Sequence, residues 1–224
     1  MIATFEKFKN AGKVHDDINA GKEGISSISG RIPNSDPDPI KKLKKIVRKI
    51  CDLFGFNSGA EYLNSGSYGM AFIVDKNKVI KLTSSKEEAR IAKGLLGQNI
   101  PNMVRYYRIK RIKEYEIWAI LMDRARGFNK EELPIMNIMD KYIYGKKILE
   151  DDVEEMRIEI KNENLSMDIF EKLLKDYNKM CKNLNKNRIS TQDLHLGNIG
   201  YIGNDMVHFD IMGETSTEEI SRLY

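Results

Sequence analysis

The sequence predicts an α+β fold in which an antiparallel sheet precedes a mainly helical part. Short runs of β-branched and aromatic residues recur over residues 60–122, and one helix-like segment at 87–96 interrupts them. From 128 to 186 the apolar residues recur at helical spacing instead. We therefore expect a five-stranded antiparallel sheet with one inserted helix, followed by helices and a short final hairpin.

The composition is that of a chain that folds without covalent cross-links. At 224 residues and 41% hydrophobic content, it is long enough for one large domain or two small lobes. Cys51 and Cys181 lie far apart inside helical patterns and no secretory signal is recognisable, so we expect a reducing cytoplasm. The net charge of +4, from 37 basic and 33 acidic residues, indicates a mixed charged surface rather than a nucleic-acid-binding protein.

Residues 1–58 are expected to form an N-terminal helical extension. One helix is predicted for about residues 3–20, and the stretch 21–38, rich in Gly, Ser, Pro and Asp, is typical of a loop. Pro39 then begins an amphipathic helix that ends at Gly55. Its basic face at 41–49 could contact a membrane surface, nucleic acid or an acidic partner. Such runs are more often a solvated helix face, and we favour that interpretation.

A hairpin with glycines at its tip follows. Gly66, Ser67 and Gly69 would let the backbone approach phosphates without a Cβ in the way, although such a tip is by itself more often an ordinary turn. The next strand carries Lys81 among apolar residues, where an ammonium needs an anionic partner. Glu88, one turn into the following helix, is the predicted partner.

The middle of the chain completes the sheet and begins the helical part. Strands are predicted around 103–109 and 115–122, and residues 123–127 break the pattern as a linker. Helices are predicted within 135–163, without an assigned role. The clearest helical periodicity spans 166–186, where Cys181 is predicted to be a core thiol rather than a nucleophile.

The last part of the chain carries the candidate chemistry. Asn198 follows Asp193 by five residues, and Asp210 comes directly after the apolar strand 206–209. A hairpin turning at 203–205 would bring Asn198 and Asp210 close together. Amide and carboxylate oxygens are suitable Mg²⁺ ligands, and a further carboxylate can orient a hydroxyl or accept its proton. The three side chains therefore suit ATP and Mg²⁺.

The order of these motifs resembles the protein-kinase-like superfamily, which includes protein kinases and small-molecule kinases such as aminoglycoside and choline kinases. The similarity runs from about Tyr62 to Gly213 and rests on several segments in the right order. They are a glycine-rich loop at 63–72, the strand lysine Lys81, the helix glutamate Glu88, a hinge at 120–125, a catalytic loop at 193–198 and a metal-binding motif at 209–210.

The resemblance implies a two-lobed fold and a set of site residues. A kinase-like N-lobe would occupy 59–124, and a truncated, mainly helical C-lobe would occupy 125–224. Catalytic roles would fall to Asp193, Lys81 and His195, and Mg²⁺ would be held by Asn198 and Asp210. The nucleotide would be bound by Gly66, Ser67, Gly69, Lys81, Glu88, Asp123 and Ala125.

The departures from the protein-kinase pattern concern control and substrate. Thr191-Gln192 replaces His-Arg before the catalytic aspartate, so control by activation-loop phosphorylation is not expected. His195 and Gly197 give the loop a form closer to that of small-molecule kinases. Only a short segment follows Asp210, so the helical platform that binds peptides in ordinary protein kinases is not expected.

Three functions remain open at this point. The favoured one, by a thin margin, is transfer from ATP to Ser or Thr of a protein, possibly of this chain itself, with a protein substrate or partner. That preference rests on the absence of the large C-lobe in which small-molecule kinases form their acceptor pocket. The alternatives are a small-molecule kinase of the aminoglycoside or choline type, and a pseudokinase scaffold that binds ATP without turnover.

Overall fold

The computed structural model describes residues 39–56, 60–65, 69–143, 148–191 and 193–210, with backbone only for 39–43 and 65. The helix predicted at 3–20, the loop at 21–38, the tip residues Gly66 and Ser67, and Gln192 lie outside the described residues. So does the segment after Asp210.

The described residues form two compact units. The sheet unit contains 39–96 and 106–122, and the helical unit contains 97–105 and the residues from 123 onward. The domain boundaries expected after residues 58 and 124 stay a prediction, because a compact unit need not be an independently folding domain.

The sheet unit is a five-stranded sheet with two helices. Its elements are α1 (Pro39–Phe54), β1 (Glu61–Ser65), β2 (Gly69–Asp75), β3 (Lys78–Thr83), α2 (Lys86–Gly94), β4 (Tyr106–Ile112) and β5 (Ile117–Asp123, its last residue belonging to the helical unit). The strand order is β1-β2-β3-β5-β4, with antiparallel pairing of β1 with β2, β2 with β3, and β4 with β5. The predicted α+β class and antiparallel five-stranded sheet with one inserted helix are confirmed.

Strand alternation gives the sheet two different faces. The apolar side of α1 covers one face, where Val47, Ile50 and Cys51 pack with Phe72 and Ile117 in one buried cluster. Because successive strand side chains point to opposite faces, residues such as Lys81 and Trp118 lie on the other face. Helix α2 runs along that second face, contacting β3 and β4.

Local signals explain where the elements of this unit begin and end. Gly55 follows α1 with φ +83°, a conformation that glycine adopts without a Cβ penalty. Ser85 caps α2, its side-chain oxygen accepting a hydrogen bond from the Glu88 N–H at 3.1 Å. At the turn between β2 and β3, the Asp75 carboxylate accepts the Asn77 N–H. The end of α1 at Gly55 was predicted from the sequence.

The described residues of the helical unit form three helices and a hairpin. They are α3 (Glu132–Ile143), α4 (Glu150–Asn162), α5 (Met167–Lys186), β6 (Ile199–Ile202) and β7 (Asp205–His208), with a 3₁₀ turn at Leu196–Asn198. The three helices pack on one another, and α5 also contacts β7. Residues fully buried on α3 to α5 are Met136, Met139, Ile143, Met156, Ile160, Phe170, Leu173, Met180 and Leu184.

Cys181 on α5 and the basic face of α1 lie in the environments that were expected for them. Cys181 is partly buried on α5, and burial raises the pKa of its thiol, which suits the predicted core position and not a nucleophile. The basic residues Lys45, Arg48 and Lys49 of α1 are exposed, as a solvated helix face requires. Within the described part of the chain, none of the helices combines the length and the apolar character needed to cross a bilayer.

Candidate functional site

Lys81 and Glu88 form an ion pair inside the sheet unit. The Lys81 Nζ lies 2.6 Å from the Glu88 Oε1, and the two side chains are only 15% and 8% exposed. Strand alternation turns Lys81 toward α2, and the Ser85 cap fixes the first turn of α2 so that Glu88 faces β3. The other carboxylate oxygen of Glu88 is buried without a hydrogen-bond partner among the described residues. The contact predicted from the sequence is therefore present, and it is largely shielded from water.

Gly69 is required by the close approach of two strands. A Cβ at this position would lie 2.5 Å from the Leu82 carbonyl oxygen and 3.3 Å from the Lys81 Cε. The first of these contacts is with backbone, which cannot move aside as a flexible side chain can. The structure thus supplies a packing reason for this glycine beside the expected one of leaving room for phosphate.

Asp193 and Asn198 are joined within the helical unit. The Asn198 side-chain Nδ2 donates to the Asp193 carbonyl at 2.9 Å and to its carboxylate Oδ2 at 3.0 Å. Asn198 is buried, with 6% of its surface exposed. Because the amide nitrogen is committed to Asp193, the amide oxygen Oδ1 is the Asn198 atom left to act as a metal ligand. The two residues therefore hold each other in a fixed orientation.

His195 lies in the turn between Asp193 and Asn198 and forms two hydrogen bonds there. Its Nδ1 accepts a hydrogen bond from the Gly197 N–H at 3.0 Å, and its carbonyl accepts the Asn198 N–H at 2.9 Å. A Cβ on Gly197 would lie 2.8 Å from the His195 ring, so this ring position favours glycine there. An Nδ1 that accepts carries no proton, so the ring can donate only through Nε2. Contact of His195 with a phosphate would have to use that nitrogen.

Asp140 of α3 forms a hydrogen bond with the loop between Asp193 and Asn198. Its carboxylate Oδ1 accepts the backbone N–H of Leu196 at 2.7 Å. No role was predicted for this helix, and Asp140 was not among the predicted site residues. The available signal was an acidic residue on an apolar face, one turn from the fully buried Met136 and Ile143.

Asp210 follows a hairpin that begins at Asn198. Strands β6 and β7 pair from Ile199 with His208, and the Phe209 N–H donates to the Asn198 carbonyl at 3.0 Å. The predicted hairpin is confirmed, and Asp210 is next to a residue bonded to Asn198. His208 is fully buried, and burial lowers its pKa to about 4, so its ring is neutral at pH 7.

The linker residues Asp123 and Ala125 are also fixed within the helical unit. The Asp123 N–H donates to the Arg105 carbonyl at 3.1 Å, and the Asp123 carboxylate accepts the Arg105 N–H at 3.0 Å. Next to Ala125, Arg126 exchanges two backbone hydrogen bonds with Tyr201 of β6, at 2.8 and 2.9 Å. These bonds fix the backbone of Asp123 beside Arg105 and that of Arg126 beside Tyr201.

An ion pair anchors this linker to α3. The Arg126 guanidinium binds the Glu132 carboxylate at 3.0 Å and lies 4.4 Å from the centre of the Tyr201 ring. Burial alone would raise the pKa of Glu132, but hydrogen bonds from Arg126 and from the Asn129 N–H outweigh it and lower that pKa. Neither Arg126 nor Glu132 was among the residues predicted from the sequence.

The described residues contain no cluster of three or more His, Cys, Asp or Glu side chains arranged to hold a metal ion. The expected Mg²⁺ ligands, Asn198 and Asp210, are an amide and a carboxylate. Both are hard oxygen donors, a type that Mg²⁺ accepts together with water and phosphate oxygens.

Comparisons with known proteins returned structural similarity only. No family model matches the chain, and no curated protein matches it. Solved structures that are similar include the streptomycin–ATP–APH(2″)-IIa ternary complex, at 15% identity and TM-score 0.32, covering 74% of this chain and 69% of that one. The gentamicin–APH(2″)-IIa complex matches at 14% identity and TM-score 0.35, covering 80% and 70%. Aminoglycoside phosphotransferase APH(4)-Ia matches at 14% identity and TM-score 0.31, over 45% of this chain.

These proteins are aminoglycoside phosphotransferases, members of the superfamily that the motifs resemble. The matched region spans 36% of the APH(4)-Ia chain, about a third of its length.

Proposed function

We propose that this protein is an ATP- and Mg²⁺-dependent phosphotransferase that moves the γ-phosphoryl group to a hydroxyl group. The observation that carries the proposal is the shielded ion pair of Lys81 with Glu88. A pair this buried is costly to desolvate and is often no more stable than apolar residues in its place. Holding an ammonium ready for phosphate oxygens accounts for the pair, whereas a purely structural role does not require one.

In the sheet unit the proposed roles concern the nucleotide. Lys81, oriented by Glu88, would bind the α- and β-phosphates, as a strand lysine does in this superfamily. Gly66, Ser67 and Gly69 would cover them with backbone N–H groups. Gly69 fits this role because its close packing on β3 already excludes a side chain.

In the helical unit the proposed roles concern the metal and the acceptor. The Asn198 Oδ1 and the Asp210 carboxylate are the proposed ligands, and the orientation of Asn198 toward Asp193 through its nitrogen fits that use of its oxygen. Mg²⁺, when bound, would neutralise charge on the phosphate oxygens. The carbonyl of Asp123 and the N–H of Ala125 are proposed to contact the adenine edge.

Asp193 is proposed to act on the acceptor. Its carboxylate would align the acceptor hydroxyl and take its proton while the hydroxyl oxygen bonds to the γ-phosphorus and the bond from that phosphorus to the β-phosphate oxygen breaks. Asn198 holds the Asp193 carboxylate at 3.0 Å, which limits its rotation. A preoriented carboxylate loses less entropy when it meets the hydroxyl.

We further propose that the acceptor is a small molecule rather than Ser or Thr of a protein, which reverses the narrow preference from the sequence. The bonded pair of His195 and Gly197 supports this, because these residues make the loop similar to that of small-molecule kinases. A Cβ on residue 197 would lie 2.8 Å from the His195 ring, so the ring in this position and the glycine go together.

The test is incubation of the purified protein with γ-labelled ATP and Mg²⁺. The acceptors are streptomycin, gentamicin, hygromycin B, choline and casein, and labelled small molecules are separated from labelled protein. Transfer to one of the small molecules is expected, and it should disappear in Asp193→Ala while ATP still binds. Asp205→Ala is the matched control, because Asp205 is exposed and its ion-pair partner among the described residues is the exposed Lys179.

Three outcomes would contradict the proposal in different ways. Label in casein or in the chain itself, with none in small molecules, would restore the protein-kinase hypothesis. ATP binding without transfer to any acceptor or to water would favour the scaffold that binds ATP without turnover. Undiminished transfer by Asp193→Ala would remove the assignment of Asp193.

A further inference from the structure

A groove opens on the α2 side of the sheet, within the sheet unit. It has a volume of about 450 Å³ and is lined by Lys86, Ala89, Arg90, Lys93, Leu96, Ile109, Arg111 and Trp118. These residues come from α2 and the segment after it, from β4 and from β5. The groove is separate from the residues proposed for phosphotransfer, none of which lines it.

The groove exists because α2 is too short to cover its face of the sheet. Nine helical residues span roughly 13 Å, whereas the seven residues of β4 or β5 span roughly 23 Å. Ile109 and Arg111 face the same side of β4, and Trp118 pairs with Arg111 across the strands. The apolar parts of Ile109 and Trp118 consequently form an incompletely covered floor, extended by Leu96, which is 43% exposed.

The rim of this floor is strongly positive. Four of its eight lining residues are Lys or Arg, and none is acidic. Arg90 has an acidic neighbour, Glu87, at 2.5 Å. Lys86, Lys93 and Arg111 form no ion pair with any other described residue, and Arg111 instead lies 5.5 Å from the centre of the Trp118 ring. Three cations therefore surround an apolar floor without compensating charge.

We propose that this groove binds a short acidic segment of a partner protein, with one apolar side chain seated against Trp118 and carboxylates paired with Lys86, Lys93 and Arg111. The volume is in the range of small ligand sites and accommodates one side chain with its neighbours. Aromatic and arginine side chains are also the types that contribute most at protein interfaces.

A peptide fits better than a nucleic acid. Nucleic-acid sites follow the phosphate backbone with an extended track of cations and carry a clear excess of positive charge. Here the cations surround a compact apolar depression, and the chain as a whole has a net charge of only +4. An apolar floor contributes most when an apolar side chain covers it.

The test uses Trp118 as a reporter, since it is the single tryptophan of the chain. The probe is the peptide Glu-Glu-Asp-Phe-Asp-Glu-Glu, blocked at both ends, titrated into the full chain while tryptophan emission is followed. A saturable shift of the emission to shorter wavelength is expected. Binding should weaken with added salt, because exposed charge pairs are screened. Peptides in which Ser replaces Phe, or amides replace all the acids, should bind about tenfold more weakly.

Two double charge-reversal variants distinguish binding in the groove from non-specific attraction of the acidic peptide to positive charge. Lys86→Glu/Lys93→Glu changes two exposed groove residues, and it should reduce affinity for the peptide by about tenfold. Lys110→Glu/Lys113→Glu makes the same change in net charge at exposed positions outside the groove, and affinity should stay within about twofold. Circular dichroism and thermal unfolding verify that both variants are folded.

The proposal would be overturned if the acidic peptide caused no saturable change in Trp118 emission. It would also be overturned if the two double variants lost the same affinity for the peptide. A single-stranded oligonucleotide that alters the emission at lower concentration than the peptide would instead assign the groove to nucleic acid. None of these readouts depends on phosphotransfer, so the groove and the proposed function can fail independently.

Discussion

The carboxylate of Asp140 on α3 accepts the backbone N–H of Leu196 at 2.7 Å, which ties a helix to the loop that carries Asp193 and Asn198. The residues are 56 positions apart in sequence. Asp140 is thus a positioning residue for the proposed catalytic loop, and the consequence can be measured.

Replacing Asp140 by Ala should lower kcat about tenfold or more while the KM for ATP stays within about twofold, because a small displacement of the loop misaligns Asp193. Asp140→Asn should retain most of the activity, since its amide oxygen can still accept the Leu196 N–H. Steady-state kinetics of the three proteins provides the comparison.

Asn137→Ala, one turn earlier and exposed on the same helix, is the control for Asp140 and should leave kcat unchanged. Equal kcat for the Asn and Ala variants at Asp140 would mean that the hydrogen bond does not matter for the loop.

Replacing Glu88 by Gln should weaken ATP binding about tenfold, because Lys81 would lose its charged partner at 2.6 Å and its fixed position. Isothermal titration calorimetry with ATP and Mg²⁺ measures this change. Glu87→Gln is the matched control, since Glu87 is 58% exposed and, in the part of the chain that the structure describes, forms its ion pair with Arg90. Similar losses in the two variants would argue against a specific role of the Lys81–Glu88 pair.

The stability of the chain should fall at acidic pH partly through Glu132. Its pKa is lowered in the folded state, so its stabilising contribution is present above the ordinary value of 4.5 and is lost as pH falls below it. At pH 7 we expect Glu132→Gln to reduce the free energy of unfolding by about 2 kcal/mol, since Arg126 and the Asn129 N–H lose a charged acceptor.

Urea unfolding at several pH values tests this prediction. The difference between the parent and Glu132→Gln should shrink steadily from pH 5 to pH 3. The adjacent and exposed Glu131 is the control, and Glu131→Gln should show no comparable difference. A gap that stays constant down to pH 3 would show that the Glu132 charge is not its source.

Gly200 on β6 should not tolerate a side chain. A Cβ there would lie 2.5 Å from the Arg126 carbonyl oxygen and 3.3 Å from the Ala125 Cβ, so Gly200→Ala must push the linker away from β6. We expect a loss of about 2 kcal/mol in unfolding free energy. If Ala125 contacts adenine as proposed, ATP binding should weaken as well.

Gly127→Ala in the same linker is the matched control for Gly200. A Cβ at Gly127 would meet no atom within 4 Å, so the change should be neutral or slightly stabilising. Equal stability of the two alanine variants in urea would contradict the close approach of the linker and β6.

Much of the sheet unit was predictable because its signals are local. The start and end of α1, the Ser85 cap of α2 and the strand alternation that turns Lys81 toward Glu88 all depend on residues within a few positions of each other. The β6–β7 hairpin was predictable for the same reason, since a turn triplet joins two short apolar runs.

Two details of the site were less predictable, namely the hydrogen-bond partner of the His195 ring and the group for which Gly69 leaves room. A catalytic role was expected for His195, because an imidazole two residues after Asp193 could contact the γ-phosphate. Its Nδ1 accepts the Gly197 N–H, a contact that depends on the ring orientation in one turn, and a catalytic role of His195 stays a prediction. Gly69 was expected to make room for phosphate, and it also makes room for the Leu82 carbonyl of the neighbouring strand.

The sequence by itself therefore determined the element order, the antiparallel sheet with its inserted helix and the identity of the paired Lys81 and Glu88. Only the tertiary structure decided that Asp140 binds Leu196, that Arg126 pairs with Tyr201, and that a basic groove remains beside Trp118. The physical reason is the distance along the chain over which each signal acts. Periodicity and capping act over one or two turns, whereas these contacts arise when helices and strands distant in sequence pack, and no local pattern encodes their partners.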